Sequence, residues 1–263
     1  MSAPRRPRKR RNKPLRLLQF TDSHVAGDEG GRVRGMDTLA SLEACVAHAE
    51  RHHAPVDAIL LTGDLVQDDA RGYLRLASVF SGKRVPVHCL PGNHDLPEEM
   101  AGLLSRKPFA VDPVVRCDEW TLVLLDSVVA GAAHGELGAE SLAFLDDVLG
   151  RYADTHALVV LHHHPLPTGS PWLDDIMLRE PERFLDVLAR HDSVRGLLWG
   201  HVHQAFDALQ DGVALMATPS TCFQFVPGCQ KFELDERPPG YRWLHLYPDG
   251  EIESRVVWVD DAG

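Results

Sequence analysis

Leu90-Pro91-Gly92-Asn93-His94-Asp95 is the stretch of sequence from which the fold of this chain can be worked out. The valine-rich residues 85–90 predict a short strand, and the Pro-Gly pair ends that strand in a tight turn. Asn93 and His94 therefore stand at the carboxyl end of a strand, where open α/β sheets bind their ligands. An amide oxygen beside an imidazole and a carboxylate suits a metal contact and a proton donor, although the same residue types also occur in ordinary turns.

Four other apolar segments end in the same way, in residues that can bind a metal. They are predicted strands at 15–20, 57–62, 156–161 and 194–199. The polar residues that follow them are Asp22 and His24, then Asp64, then His162, and last His201 and His203. Because residues two apart on an extended segment point to the same side, we expect Asp22 and His24 to reach one ion together.

The segments between these strands complete the predicted fold. Helical spacing of apolar residues predicts helices at 37–51, 70–80, 139–152 and 180–191, so the first three strands should run parallel. Segments 111–117 and 120–125 predict a hairpin, and alternating stretches near 213–217, 242–247 and 252–259 predict a second, antiparallel sheet. Since no repeat and no linker divides the chain, we expect a single domain over residues 14–263 after a basic tail at 1–13.

The five polar strand ends are predicted to form a two-metal centre. Strand ends gather at one edge of a sheet, so the clusters should converge on one crevice. They supply seven candidate ligands, namely Asp22, His24, Asp64, Asn93, His162, His201 and His203. Seven ligands exceed the need of one ion and suit two ions that share a bridging carboxylate, for which Asp64 is the natural candidate. Imidazole and carboxylate ligands without thiolate favour Fe, Mn, Zn or Co over Ca.

The charge is unevenly spread along the 263 residues. The formal net charge is −11, yet seven basic residues and no acids lie between residues 5 and 13, and residues 14–263 carry 20 basic against 38 acidic residues. The acidic residues 14–263 repel a long polyanion unless bound cations reverse the local electrostatic potential. This charge favours small phosphate esters over nucleic-acid duplexes as substrates. The tail is predicted to be a disordered, solvated terminus, with contact to nucleic acid or acidic lipid as the alternative.

Hydropathy and cysteine content favour a cytoplasmic protein. No apolar run approaches 18 residues, so neither a membrane span nor a secretory signal is expected. The five cysteines are odd in number and form no CxxC pair, which suits a reducing compartment. Cys222 and Cys229 are interpreted as packing residues.

The polar strand ends resemble the five sequence blocks of the calcineurin-like metallophosphoesterases. The blocks are Asp22-x-His24, Gly63-Asp64, Gly92-Asn93-His94-Asp95, His162-His163 and Gly200-His201-x-His203. Residues 134–137, 162–167 and 218–222 further resemble the bacterial class III cyclic nucleotide phosphodiesterases, which hydrolyse 3′,5′-cyclic AMP. The resemblance covers nearly everything after the tail, and it implies an α/β fold, a four-layer α/β/β/α sandwich of two mixed sheets flanked by helices.

The resemblance also implies a role for each matching residue. Asp22, His24 and His203 would hold one metal, often iron, and Asn93, His162 and His201 the second, with Asp64 as the bridge. His94 would contact the phosphate and assist or protonate the departing 3′ oxygen, and Asp95 would orient His94. The residues expected to contact substrate are His24, Asp64, Asn93, His94, His162 and His203. The implied reaction opens cyclic AMP to 5′-AMP by in-line attack of a hydroxide held between the metals.

Several alternatives stay open from the sequence. The substrate could be another small diester, such as a 2′,3′-cyclic nucleotide, a glycerophosphodiester or a lipid-linked pyrophosphate, and a non-catalytic binding scaffold is a further alternative. His163 or His164 could touch substrate or serve the fold, and the same choice holds for His134. Trp172 could stack on adenine, although packing is the simpler interpretation. A homodimer is also left open.

Overall fold

The computed structural model describes residues 13–260. Within them the strands are β1 (Leu15–Phe20), β2 (Ala58–Thr62), β3 (Val87–Leu90), β4 (Phe109–Ala110), β5 (Val114–Cys117), β6 (Trp120–Leu125), β7 (His156–Leu161), β8 (Val194–Trp199), β9 (Phe206–Gln210), β10 (Val213–Ala217), β11 (Gln224–Phe225), β12 (Leu234–Asp235), β13 (Gly240–Leu246) and β14 (Ile252–Trp258). The helices are α1 (Thr38–His53), α2 (Arg71–Phe80), α3 (Pro97–Leu103), α4 (Ala139–Arg151), α5 (Pro171–Asp174) and α6 (Pro181–Leu188).

The first sheet has the strand order β14-β13-β1-β2-β3-β4. Strands β1, β2, β3 and β4 run parallel, as the helical connections predict for the first three, and β13 is antiparallel to β1. Every residue of β2 and β3 is buried, which explains why these strands are continuous apolar runs without alternation. The helix after β1 begins where Oδ1 of Asp37 caps it by accepting from the amide of Ala40 at 3.1 Å.

The second sheet has the order β5-β6-β7-β8-β10-β9. Its four central strands are parallel, and β5 and β9 are antiparallel edge strands. The predicted hairpin is confirmed by the pairing of β5 with β6, in which Cys117 faces Trp120.

The prediction of a separate antiparallel sheet near the C-terminus is wrong. Strands β13 and β14 extend the first sheet beyond β1, and β10 joins the second sheet in parallel with β8. The three segments do form strands, but alternation along a segment reports only that one face is buried. It does not report which distant strand is the partner, and here Leu17 of β1 pairs with Leu244 of β13.

Three apolar cores separate four layers. One core lies between the two sheets and contains Leu60, Trp120, Leu158 and Leu244. A second packs α1 and α2 on the outer face of the first sheet, through Leu42 and Tyr73 among others. A third packs α4 and α6 on the outer face of the second sheet, with Leu145 and Phe184 at its centre. The order helix, sheet, sheet, helix confirms the predicted α/β/β/α sandwich.

Three further predictions concern membrane spans, the basic tail and the domain division. Among residues 13–260, no helix has the length and apolar character to cross a membrane. The basic tail and its alternative contact with nucleic acid or lipid lie outside the described residues, apart from Lys13. The division of the chain into a tail and a single domain stays a prediction.

Candidate metal centre

The polar ends of five strands meet where the two sheets face each other. Strands β1, β2 and β3 belong to the first sheet and β7 and β8 to the second, so the expected single sheet edge is in fact a pair of facing edges. Contacts cross between the sheets: Nε2 of His162, after β7, lies 3.4 Å from Oδ2 of Asp64, after β2. The seven candidate ligands are therefore brought together by the packing of one sheet on the other.

Unusual backbone conformations position these residues. In the described chain ten residues other than glycine have positive φ, and five of them are candidate ligands. They are Asp22 (φ 53°), His24 (φ 44°), Asp64 (φ 50°), His201 (φ 65°) and His203 (φ 47°). Asp22 and His24 do lie close together, as expected. The reason given for this is wrong, because both residues lie beyond β1 in the left-handed region and not on an extended segment. Such strain persists only where surrounding structure imposes it, and it clusters at functional sites.

Two glycines allow the strand ends to approach. A Cβ on Gly92 would clash with the amide of Asp64 and lie 2.7 Å from Nε2 of His162. A Cβ on Gly200 would clash with the hydroxyl of Thr21 and lie 2.7 Å from a carboxylate oxygen of Asp22. Close packing therefore requires glycine at these two positions, each of which precedes a candidate ligand.

One cluster of candidate ligands consists of Asp22, His24 and His203. Nε2 of His203 lies 3.2 Å from Nε2 of His24 and 3.3 Å from Oδ1 of Asp22. All three side chains are almost fully buried. Their ligand atoms lie close enough together to hold one metal ion.

A second cluster contains His162 and His201, and Asn93 lines one cavity together with His201. Nε2 of His162 lies 3.2 Å from Nδ1 of His201. The side-chain oxygen of Asn93 is buried and, in the described chain, has no hydrogen-bond partner. A buried amide oxygen is costly without a partner, and a metal ion would satisfy it.

Asp64 lies between the two clusters. Its Oδ2 is 3.4 Å from Nε2 of His162 and 3.7 Å from Nε2 of His24. Its Oδ1 accepts a hydrogen bond of 2.8 Å from the backbone amide of His94, which fixes the carboxylate. One oxygen therefore faces both clusters, the position that a bridging carboxylate requires.

The four histidines are oriented by oxygen atoms behind them. Nδ1 of His162 lies 2.9 Å from the carbonyl of Thr62, and Nδ1 of His203 lies 2.6 Å from the carbonyl of Phe223. In the same way, Gln67 Oε1 lies 2.9 Å from His24 Nδ1, and the Ile176 carbonyl lies 3.1 Å from His201 Nε2. A ring nitrogen that donates to such an oxygen leaves the other nitrogen with a free lone pair, and that nitrogen faces the cluster in every case. This is the arrangement found behind metal-binding histidines.

The electrostatics of the centre favour lone-pair donors and anions. Burial raises the pKa of the Asp64 carboxyl, but the neighbouring His162 and His24 outweigh burial and hold the pKa well below its ordinary value. Burial lowers the pKa of His24 to about 4 and, with the imidazoles of His163 and His162, holds that of His201 well below its ordinary value. Burial also acts to lower the pKa of His162, but Asp64 and Asp22 raise it to about 9. A metal cation would replace the proton on this last imidazole.

His94 stands at the side of the centre and contacts Asp68. Its ring lies 5.1 Å from that of His24, and its side chain is 35% exposed. Nδ1 of His94 lies 3.0 Å from Oδ1 of Asp68 and 3.0 Å from Nε2 of Gln67. Neither Asp68 nor Gln67 was singled out from the sequence, although both follow Asp64 in the same loop.

The prediction that Asp95 orients the His94 side chain is wrong. The Asp95 carboxylate is buried and turned toward the backbone of the neighbouring loops. It accepts hydrogen bonds from the amides of Leu65, Val66 and Gly92 and from the hydroxyl of Tyr73. Burial and the charge of Asp64 raise its pKa to about 7. Asp95 therefore ties the loop that carries Asp64 to the loop that carries Asn93.

The neighbouring residues that the sequence left undecided lie as follows. His163 is buried, with Nδ1 2.8 Å from the hydroxyl of Ser127, and its ligand atom lies near those of His162 and His201. His164 stacks on His201 with ring centroids 5.4 Å apart. Gly135 lies so close to the His163 ring that a Cβ at position 135 would clash with that ring. The loop that contains His134 and Gly135 therefore covers His163. In the described chain all five cysteines are free thiols.

Comparison with known proteins now identifies the family. The family model described as calcineurin-like phosphoesterase matches residues 15–205, a span that contains every candidate ligand. This chain belongs to that family. Membership in this metallophosphoesterase family implies two divalent metal ions, and the two ligand clusters with Asp64 between them fit such a pair.

Curated relatives of this calcineurin-like phosphoesterase match it over most of its length. A Haemophilus influenzae protein named 3′,5′-cyclic adenosine monophosphate phosphodiesterase CpdA is 40% identical and covers 94% of this chain and 91% of its own. Proteins of the same name from Pseudomonas aeruginosa and Escherichia coli K12 are 41% and 39% identical, each over 94% of this chain, and cover 90% and 91% of their own.

Solved structures confirm the fold of the family. A dimetal phosphatase from Danio rerio matches with a TM-score of 0.63 at 16% identity, covering 94% of this chain and 100% of its own. The purple acid phosphatase PPD1 from yellow lupin matches with a TM-score of 0.61 at 13% identity, covering 95% of this chain and 54% of its own. At these identities the likeness is one of architecture.

Proposed function

We propose that this chain is a two-metal phosphodiesterase that hydrolyses 3′,5′-cyclic AMP to 5′-AMP. The observation that carries the proposal is the identity of about 40%, over 94% of the chain, to relatives named cyclic AMP phosphodiesterases. The complete set of seven clustered ligands argues against a non-catalytic scaffold. The cavity at the centre, about 480 Å³, is large enough for a small nucleotide.

The proposed ligand assignment follows the two clusters. Asp22, His24 and His203 would hold one ion, Asn93, His162 and His201 would hold the other, and Asp64 lies where it could serve both. When bound, the ions lower the pKa of water and neutralise charge that develops on the phosphoryl oxygens. The nitrogen and oxygen ligands suit Fe, Mn, Zn or Co, and the family resemblance implies Fe in one of the two sites.

The proposed reaction adds a water oxygen to phosphorus and breaks the bond between phosphorus and the 3′ oxygen. His94 donates a proton to that departing oxygen, and Asp68 holds the imidazole through Nδ1 so that Nε2 faces the substrate. The phosphate is placed against His24, Asp64, Asn93, His94, His162 and His203. The buried walls at His24 and His203 exclude bulk water from this side of the phosphate.

Substitution of the ligands tests the proposal. Asp64→Asn and His201→Ala should lower cyclic AMP hydrolysis by at least a thousandfold and lower the metal content of the purified protein. The matched controls are Asp154→Asn and His52→Ala, which change exposed residues away from the cavity. Wild-type hydrolysis of cyclic AMP that persists in both ligand variants would contradict the proposal.

Parallel rate measurements separate the substrates. Cyclic AMP should be turned over with a higher kcat/KM than a 2′,3′-cyclic nucleotide, a glycerophosphodiester or a lipid-linked pyrophosphate. A higher value for one of these three would assign the same centre to that ester instead. A cytoplasmic location, which the free thiols support, and a homodimer both stay predictions.

A further inference from the structure

An aromatic wall extends outward from the metal centre. The ring of Phe225 stacks on that of His203 with centroids 4.0 Å apart and an angle of 16°. The ring of Phe223 stacks on that of His24 at 5.4 Å and 24°. Both phenylalanines line the same cavity as the candidate ligands. The cavity is therefore polar at the centre and aromatic on the adjoining side.

The wall ends in an exposed pair, Phe232 and Arg34. Phe232 is 39% exposed, and its ring centroid lies 5.2 Å from that of Phe225. The guanidinium of Arg34 lies 4.2 Å from the Phe232 centroid and 5.7 Å from that of Phe223. A large apolar ring this exposed is costly, and a guanidinium above it forms a flat surface that suits a planar ligand.

Polar groups on this side of the cavity donate hydrogen bonds and do not accept them. Apart from the candidate ligands, His94 and Gln67, the polar side chains lining the described cavity are Arg32, Arg34 and the indole of Trp172. Guanidinium and indole groups are donors only. This side of the cavity therefore offers stacking to any flat aromatic heterocycle, and these three side chains offer no acceptor for an exocyclic amino group.

We propose that Phe232 and Arg34 form the nucleobase subsite of this enzyme, in which the base of a cyclic nucleotide stacks on their ring and guanidinium while its phosphate occupies the metal centre. The inference rests on the proposed function and adds the residues that recognise the base. Recognition is through the face of the base, so adenine and guanine gain equally from it. Trp172 supports the subsite from behind, with its ring packed edge-on against Phe232 at 5.3 Å and 77°.

The test compares substrates with and without a base. The substrates are cyclic AMP, cyclic GMP and the 3′,5′-cyclic phosphate of methyl riboside, which keeps the sugar and phosphate and lacks the base. Phe232→Ala and Arg34→Gln should each lower kcat/KM for the two nucleotides by about tenfold, chiefly through KM, and leave the base-free diester within twofold. Phe144→Ala is the matched control, since Phe144 is 37% exposed on α4 and should change none of the three rates.

Three results would overturn the subsite. One is an equal loss on the base-free diester, because the residues would then shape the centre and not contact the base. Another is an unchanged kcat/KM for both nucleotides in both variants. The last is a lower kcat/KM for cyclic AMP alone, because stacking on the face of the base cannot distinguish adenine from guanine.

A binding measurement separates failure of the subsite from failure of the proposed function. If the wild type hydrolyses a simple diester and not cyclic AMP, the proposed function is wrong. Calorimetric binding of 5′-AMP against ribose 5-phosphate then decides the subsite alone. Tighter binding of 5′-AMP that Phe232→Ala abolishes supports the subsite, and equal binding of the two ligands overturns it.

Discussion

Nδ1 of His94 lies 3.0 Å from Oδ1 of Asp68, and both side chains are partly exposed beside the metal centre. A carboxylate in this position fixes the tautomer and the direction of the imidazole. The pair therefore links the loop after β2, which carries Asp64, to the loop after β3, which carries Asn93.

Removal of that carboxylate should slow the chemical step. Asp68→Asn is expected to lower kcat for cyclic AMP by about tenfold with little change in KM, because the pair orients the donor and does not bind substrate. The effect is modest since the Asp68 side chain is 64% exposed and water can replace part of its contact. Steady-state kinetics measure it, with Asp69→Asn as the neighbouring control, because the Asp69 carboxylate accepts from the guanidinium and the backbone amide of Arg71. Equal losses in the two variants would show that the loop, and not the carboxylate, is responsible.

A methyl group at Gly92 should disrupt the centre. Gly92→Ala places a carbon against Asp64 and His162, which have no room to move apart because both are buried. Activity should fall at least a hundredfold and metal content should drop, whereas Gly82→Ala, where a Cβ meets no neighbour within 4 Å, should keep both. Metal analysis and initial rates on the two proteins check the contrast. Full activity in Gly92→Ala would contradict the packing argument.

Most elements of the fold could be predicted because their signals are local. The apolar runs of β2 and β7 and the helical spacing of α1 and α4 each lie within one segment. Membership of a sheet has no such signal, so the sequence predicts β13 in a second sheet although it pairs with β1. That pairing is decided by the packing of the complete chain.

The candidate site shows the same division between local and distant information. Residue types that can bind a metal could be identified from the sequence, and the structure brings Asp22, His24 and His203 together and His162 close to His201. Their roles as ligands stay a prediction. The partner of His94 could not be identified, because Asp95 is its neighbour in sequence whereas Asp68 lies 26 residues earlier. The choice depends on left-handed turns at Asp64 and Asp68, with φ of 50° and 53°, that bring Asp68 back to the imidazole. Asp95 instead satisfies buried backbone amides.

The buried guanidinium of Arg242 should hold the two sheets together. It extends from β13 of the first sheet and donates to groups on β9 and β10 of the second, including the carbonyl of Ala217 at 2.8 Å and Oδ1 of Asp207 at 2.6 Å. Arg242→Met should cost about 3 kcal/mol in the free energy of unfolding and lower Tm by roughly 6–12 °C. Thermal unfolding checks it, with Arg255→Met on the exposed face of β14 as the control. A Tm unchanged in Arg242→Met would show that these bonds contribute no net stability.

An ion pair at the far end of β1 should make stability depend on pH. Hydrogen bonds from the Arg16 guanidinium, at 3.0 Å, hold the pKa of Asp57 below its ordinary value. A lowered carboxyl pKa contributes stability above the unfolded pKa of about 3.9, and that contribution is lost as pH falls through the lower folded value. Wild type should exceed Asp57→Asn by about 1 kcal/mol at pH 7 in urea unfolding, with the gap closing below about pH 4. A gap that is constant with pH, or one matched by the exposed control Asp192→Asn, would count against the pair.

Removal of metal should destabilise the fold as well as abolish activity. The clusters place two carboxylates and four imidazoles against one another, with nitrogen atoms of two histidines only 3.2 Å apart in each cluster. Ions bound there stabilise the native state and not the unfolded chain, so a chelator should lower Tm on the order of 10 °C and added metal should restore it. Scanning calorimetry of wild type and of Asp64→Asn measures the shift, which should be much smaller in the variant because the shared ligand is gone. If chelation shifts both proteins equally, the ions that stabilise the fold lie elsewhere than between Asp22, Asp64 and His162.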